Sequence, residues 1–568
     1  MRALSLLVLA VHVAHAAPDK PALAIVGGTV VDPGGSTTPA ATVLVLGNRI
    51  EAVGPSSRVK VPAGATRLEA KGTFVVPGLV DAHVHFFQSG GLYTRPDAFD
   101  LRAYRPYTEE QRLIREHLDE TLARFLRNGV TSVADVGGPF WNFDLRDRAR
   151  DNSRAPRVAA TGPLISSVAR PELDLGDPPI IRCGTPDEAR ALVRREAPRK
   201  PDYIKIWFIV TADQPLAKNR PIVEAAIQEA HGLGLRVAVH ATELATARAA
   251  LESGADILVH SVRDAEVDDA FLRLARERKV IYIPTLNVRS GYLRTLHQKL
   301  DLTFEEFTRG DPWVIGTLFD LAHLPAEKLP EPMRRGREKP ASLALDPTMA
   351  KNLMSVLRAG VTVAMGTDSG NIGTLHGVAV LREMAAMEEA GMKPLEVLQA
   401  ATQGGARLMG REKELGRISP GALADLLVLD ADPRTGTRAL ARIRRVVKDG
   451  HLIDPETLIP DSPEALAQRQ LNAYNARNLE AFLAPYAEDV EVRDLEGKVV
   501  SKGKEAFRTR YDERFRTSPA LHCELRGRVS AGAWVVDEEW VTGAGEPVHA
   551  LVMYEVVNGR IARVRFMK

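Results

Sequence analysis

Cysteine is almost missing from this chain: 568 residues carry two, Cys183 and Cys523. They stand far apart and in differently patterned regions, so a disulfide framework is excluded as the basis of the fold. Long apolar runs are missing too. Beyond the first residues no stretch reaches about 18 uninterrupted apolar positions, which excludes a membrane-spanning helix there. Charge of one sign is also lacking, with 75 Lys+Arg against 73 Asp+Glu. Aromatics make up only 5%, and no basic face is interleaved with them, so nucleic acid is excluded as a partner and small molecules are favoured. The hydrophobic content of 45% is that of a soluble globular protein, in a chain long enough for about two to four domains.

The amino terminus, MRALSLLVLAVHVAHAAPDK, has one arginine, an apolar run from Leu4 to Val13, and the small-residue site Ala14-His15-Ala16. This reads as a cleaved export signal over residues 1–16, leaving a periplasmic or secreted protein with no membrane association. A retained anchor is the alternative. Residues 17–76 hold short alternating runs such as ALAIVGGTVVD and ATVLVLGNRIEAVG, and a matching set, ADLLVLDAD and RIRRVVKDGHLID, returns within 415–460. Together they read as one small β-sandwich built from both ends, or else as two unrelated β subdomains.

Between those flanks, over 77–414, strand-like runs alternate with amphipathic stretches such as DEARALVRREA and IVEAAIQEAHGLG. Eight runs, at 79–85, 131–136, 157–162, 203–208, 236–241, 257–262, 280–286 and 361–368, predict an α/β architecture: a closed parallel (β/α)8 TIM barrel inserted in the sandwich. An open doubly wound sheet is the structural alternative, but no Gly-rich phosphate loop follows the first run.

The first run, TFVVPGLVDAHVH, ends in His83 and His85. Alternation along a strand points both side chains the same way, as a pair of metal ligands would need. Two surface histidines would give the same pattern. However, His240 ends the fifth run, His260 the sixth and Asp368 the eighth, and barrel sites are assembled from the carboxyl ends of different strands. Lys205 lies inside the fourth run, DYIKIWF, between Ile204 and Ile206. If those isoleucines face the helices, the lysine faces the barrel, where burial lowers its pKa. A neutral amine can add carbon dioxide and become an anionic carbamate able to bridge two divalent ions. A snorkelling or salt-bridged lysine is the plainer alternative.

The segments PGLVDAHVHF, DYIKIW, VHA, VHS and GTDSG, with LGRISPGALADLLVLDADP after them, resemble the amidohydrolase superfamily. The likeness is greatest to imidazolonepropionase-related amidohydrolases and Xaa-Pro dipeptidases of the carboxylated-lysine type, and it spans Ala22 to Leu458. It implies hydrolysis of an amide or peptide-like C–N bond at two divalent ions, zinc being the expected metal. One would be held by His83, His85 and Asp368 and the other by His240 and His260, with carboxylated Lys205 and a hydroxide between them. Asp368 would be the catalytic acid and base. Glu243, three residues after His240, instead resembles the mononuclear branch of deaminases and cyclic amide hydrolases, or is a helix amino-terminal acid with Thr242 as cap.

Specificity is less legible. The loop 86–106 and an insertion over 288–347 should cover the metal-bearing face, where Arg289, Tyr292 and Arg294 would suit a substrate carboxylate unless merely solvated. His376 would touch substrate or start the next helix. After the linker IPDSP, residues 464–568 begin with an amphipathic helix over 464–486 and continue as strands with an Asn558-Gly559 hairpin turn. They resemble the nuclear transport factor 2-like (SnoaL-like) fold, an α+β cone used as a pocket or a dimer surface, which leaves homo-oligomer formation open. Trp534, Trp540 and Tyr554 would suit either role, or the core.

Overall fold

The computed structural model of the chain describes residues 22–567. The export signal assigned to residues 1–16 lies outside them. Among the described residues no helix is long and apolar enough to cross a membrane.

The two ends of the central region do meet in one sheet. Leu426–Leu429 lies antiparallel to Phe74–Pro77, with Val428 opposite Val75. Instead of two stacked sheets, a single eight-stranded sheet forms and branches at Ala22–Val31. Along its first half this strand pairs with Thr66–Glu69, and along its second half with Phe74–Pro77. A register shift between Val26 and Gly28 separates the halves, and Gly27 at φ 83° supplies the left-handed backbone that the bend requires. Bent in this way, the sheet encloses a core of its own that includes Ile25, Val43, Val45, Leu426 and Val428, which is the burial a sandwich would have provided.

All eight expected central strands are present and parallel: Leu79–Val84, Val130–Asp135, Arg157–Ala160, Ile204–Trp207, Val237–His240, Ile257–Val259, Ile281–Ile283 and Thr362–Val363. They fall into two arcs, one of three strands and one of seven that also takes in Leu164–Ser166 and Ile180–Arg182. Single main-chain bonds join the arcs where ladders are interrupted. Ala82 N–H donates to Met365 O and Asp368 N–H to His83 O at one seam, and Asp202 N–H to Ala160 O at the other. Alternation along the fourth strand is as expected: Ile204 and Ile206 belong to the outer core under the helices, while Tyr203 belongs to the inner core with Ala238, Ile257 and Ile283.

The outer helices start and stop on local signals. Thr185 caps Pro186–Glu196 by accepting from Glu188 N–H, and Gly254 ends Leu244–Ser253 in the left-handed conformation. The insertion is itself helical, with Val288–Leu296, Phe304–Arg309, Pro312–Leu318 and Glu331–Glu338. Leu296, Leu321 and Met333 pack on Leu92, Tyr93 and Leu101 of the first loop, so the two long connections form one cover over the strands' carboxyl ends.

The last hundred residues form a six-stranded sheet wrapped on helices Pro463–Ala476, Leu479–Leu483 and Lys504–Thr517. The single helix expected over 464–486 is broken at Arg477, φ 55°, because Asn478 captures Ala481 N–H and caps a new helix, and Tyr486 already begins a strand. The hairpin turn is as expected, with Asn558 and Gly559 both at positive φ. Tyr554 lines the interior of the cone, Trp534 is exposed, and Trp540 stacks under the Arg526 guanidinium. IPDSP does not isolate this unit. Arg469 Nη1 donates to the carbonyls of Phe307 and Gly310, Asn472 Nδ2 donates to Pro312 O, and Ile315 and Leu318 share one apolar cluster with Leu466 and Phe482.

Candidate metal centre

His83, His85 and Asp368 converge. His83 Nε2 and His85 Nε2 lie 3.2 Å apart, and Asp368 Oδ1 is 3.3 Å and 3.2 Å from them. Their elements explain the convergence. Asp81, two residues before His83, accepts from Thr367 N–H and Thr367 Oγ1, which lashes the first strand to the eighth. Gly366 lies so close to the first strand that a Cβ there would stand 2.8 Å from His83 Cβ. His85 Nδ1 donates to Gly137 O at 2.7 Å, leaving Nε2 as the lone-pair nitrogen.

His240 and His260 stand beside them. Their ring centroids are 4.3 Å apart, and His260 is 5.1 Å from His83. His260 Nδ1 bonds Thr285 Oγ1 at 2.6 Å and lies 3.9 Å from Asp368 Oδ2. Burial first, then neighbouring cations, holds His83, His240 and His260 well below the usual imidazole range, so they stay neutral and can offer lone pairs. The backbone pays locally for this arrangement: His260 at φ 77° and Asp368 at φ 59° occupy the left-handed region, which is uncommon for non-glycine residues.

Lys205 is 1% exposed and lines the same cavity, and its Nζ has no hydrogen-bond partner. Burial pushes the amine down to about 7. The ligand atoms of His83, His85 and Asp368 lie within about 3.3 Å of one another, the convergence that a metal ion would require. The donor set of imidazoles, carboxylate and convertible amine therefore fits divalent metal.

The cavity over these groups has a volume of about 480 Å³ and also takes in Trp207, Thr242, Glu243, Arg263, Arg289, Tyr292 and Asn371. Glu243 precedes its helix without capping it, and Leu244 N–H is taken by Asp264 instead. Glu243 lines the cavity, its carboxylate accepting from the Thr242 and Thr246 hydroxyls at 3.4 Å and 3.3 Å. Arg289 stands exposed at the mouth. Arg294, by contrast, turns away to pair with Asp301 at 2.7 Å and to donate to Ser290 Oγ. His376 is also outside the cavity: its Nε2 donates to His85 O and its ring stacks on Phe86, from behind the first strand.

A chain of bonds that the sequence did not suggest steadies Asp368. Asn371 Nδ2 donates to Asp368 Oδ1 at 2.7 Å, while Asn371 Oδ1 accepts from both Arg95 Nη1 and Tyr292 Oη at 2.7 Å. Arg95 is in turn gripped by Asp97 through two bonds of 2.7 Å. The only sequence cue was the nearness of Asn371 to Asp368 in GTDSGN.

Parallel strands around a buried set of imidazoles, carboxylate and lysine at their carboxyl ends define a hydrolase of the metal-dependent barrel class. The chain belongs to the Amidohydrolase family, whose model matches residues 74–453, and a SnoaL-like domain matches residues 467–564. It is 27% identical over 416 residues to an imidazolonepropionase of Streptomyces coelicolor, covering 69% of this chain and 85% of that one. With an ochratoxinase of Aspergillus niger it shares 25% over 452 residues, 74% of this chain and 83% of the other. Among solved structures, one assigned as a prolidase from Bifidobacterium longum superimposes with a TM-score of 0.57 at 26% identity, over 77% of this chain and 95% of that one. A Xaa-Pro dipeptidase with methionine in its active site gives a TM-score of 0.58 at 22% identity, over 76% and 100%.

Proposed function

We propose that the chain is an exported, binuclear metal-dependent amidohydrolase that cleaves an amide or peptide-like C–N bond in a small molecule. The observation that carries this reading is Lys205. A buried amine with no partner, facing four histidines and an aspartate, serves no packing purpose. As a carbamate, formed by adding carbon dioxide to the neutral amine, it would supply the anionic ligand that two cations at this site would need. His83, His85 and Asp368 would hold one ion, His240 and His260 the other, and zinc suits so imidazole-rich a set. When bound, the ions supply a Lewis acid and a water acidic enough to attack at neutral pH.

The chain's own groups do the rest. Asp368, held at Oδ1 by Asn371, takes the proton of the attacking water and returns it to the departing amine. Arg289 and Arg263 at the mouth present two cations to a substrate carboxylate, while Tyr292 on the same helix as Arg289 spends its hydroxyl proton on Asn371. A dipeptide-like substrate such as an Xaa-Pro peptide fits this arrangement, and the similarity to prolidase and ochratoxinase supports it.

A second reading, a mononuclear deaminase or cyclic amide hydrolase, draws on Glu243, which lines the cavity without capping its helix. Elemental analysis of the purified native protein separates the two. Two divalent ions per chain are expected, and a single ion on a fully active preparation sinks the binuclear reading. Amino-terminal sequencing of the same preparation should begin near Ala17, and a return of Met1 would remove the export assignment.

A further inference from the structure

Far from the metal centre, a cavity of about 240 Å³ opens where the barrel, its insertion, the linker and the C-terminal unit meet. Arg127, Arg309, Arg469 and Arg560 line it against two carboxylates, Glu456 and Asp461. Four cations and two anions leave a net charge of +2. The carboxylates do not use up the donors. Glu456 accepts only from Arg127 Nη2, at 3.0 Å, which leaves Arg127 Nε and Nη1 buried without a partner. Asp461 is taken by Arg469 Nε at 3.0 Å. Arg309 gives Nη2 to Ala441 O at 2.9 Å and leaves Nη1 buried and unpartnered.

Arg127 and Arg469 are 6% and 4% exposed. A guanidinium cannot shed its proton to escape such a position. The strain registers in Arg309 and Arg469, both depressed by burial first, with Arg127 adding repulsion. Uncompensated buried charge and orphaned donors are costly unless a counter-charge lies close by.

We propose that this cavity binds a doubly charged oxyanion, phosphate or sulfate, held by Arg127, Arg309 and Arg469 with Arg560 at its rim. Charge and shape select this class. A dianion cancels the +2 of the lining, whereas a carboxylate leaves one charge over. A tetrahedral ion also accepts from several directions at once, which suits guanidinium groups that reach the cavity from separate elements. These arginines come from the barrel, the insertion and the C-terminal unit, so the bound ion ties the three together. A free ion and the phosphoryl group of a phosphomonoester offer the same chemistry.

The test titrates full-length holoenzyme with inorganic phosphate by calorimetry at constant ionic strength, with chloride as control. Arg309→Gln and the exposed Arg560→Gln are compared with wild type, and Arg510→Gln, in the cone's own cavity, serves as the control variant. Phosphate contacts at the metal centre are common to all four proteins and cancel in the comparison. Wild type and Arg510→Gln should share one binding event that is about tenfold weaker in Arg309→Gln, the loss expected for one charged hydrogen bond, and measurably weaker in Arg560→Gln. Phenyl phosphate matching inorganic phosphate at this site would mark a phosphomonoester as the source, and failing to match would mark the free ion. Equal phosphate affinity in wild type, Arg309→Gln and Arg560→Gln overturns the proposal.

Discussion

Lys205 is the residue on which the chemistry can be tested most sharply. Lysine itself is no ordinary zinc ligand, so a merely packed Lys205 could be shortened to alanine with little effect on metal content. If it carries the bridging anion, Lys205→Ala should lose metal and at least about a hundredfold in turnover, as when a metal site loses a supporting group. Small carboxylates supplied with excess divalent ion should restore part of both. Glu243→Gln should cost far less. Metal analysis and turnover of the two variants decide the matter, and an active Lys205→Ala beside a dead Glu243→Gln would invert the assignment. The proposed ligand positions stood out because they lie in or just after β-rich runs; alternation sets the side-chain direction of His83 and Lys205, whereas His260 and Asp368 lie past their strands at positive φ, where it does not. Arg294 and His376 were left with two readings each for the converse reason. They sit in connections, whose side-chain directions are set by partners such as Asp301 and the His85 carbonyl that no local period reveals. Asn371 and Arg95 escaped notice on the same ground.

Among the elements, the strand Trp534–Thr542 carries an unexpected acid on the inside of the cone. Burial raises the Glu539 carboxyl from 4.5 to about 7, even though Tyr554 Oη donates to it at 2.9 Å. Between those two pH values the folded chain binds more protons than the unfolded one, so stability falls as pH rises from about 4.5 to about 7 and stays reduced above that. Glu539→Gln keeps the acceptor for Tyr554 and removes the titration. The variant should therefore be more stable than wild type at pH 8, by about 3 kcal/mol at most, and the two should converge near pH 4.5. Urea denaturation across that range checks both the sign and the window. That strands follow the helix, with a hairpin at Asn558-Gly559, was readable here from alternation and the turn residues, but their order in the sheet was not. The helix break at Arg477 was not, since it depends on the Asn478 side chain winning the Ala481 amide.

For the molecule as a whole, the joint between barrel and cone departs most from what a Pro- and Ser-rich linker suggests. Removing residues 463–568 would strip Arg469 and Asn472 from the carbonyls of Phe307, Gly310 and Pro312 and uncover Ile315 and Leu318. Returning buried apolar side chains to water costs on the order of 1.5–3 kcal/mol each. The truncated chain should therefore melt well below the full-length protein and aggregate, as followed by scanning calorimetry and light scattering. A truncated chain that stays monomeric with an unchanged melting temperature would show that the shared cluster contributes nothing.

The branched sheet has a consequence for how such a chain is made. Phe74–Pro77 cannot find its partner Leu426–Leu429 until roughly 350 further residues have left the ribosome, a wait of about 20–70 s at roughly 5–20 residues per second. Until then the early strands present an unpaired edge, the kind of surface that chaperones engage. Synthesis should therefore yield a long-lived open nascent chain that closes only near its end.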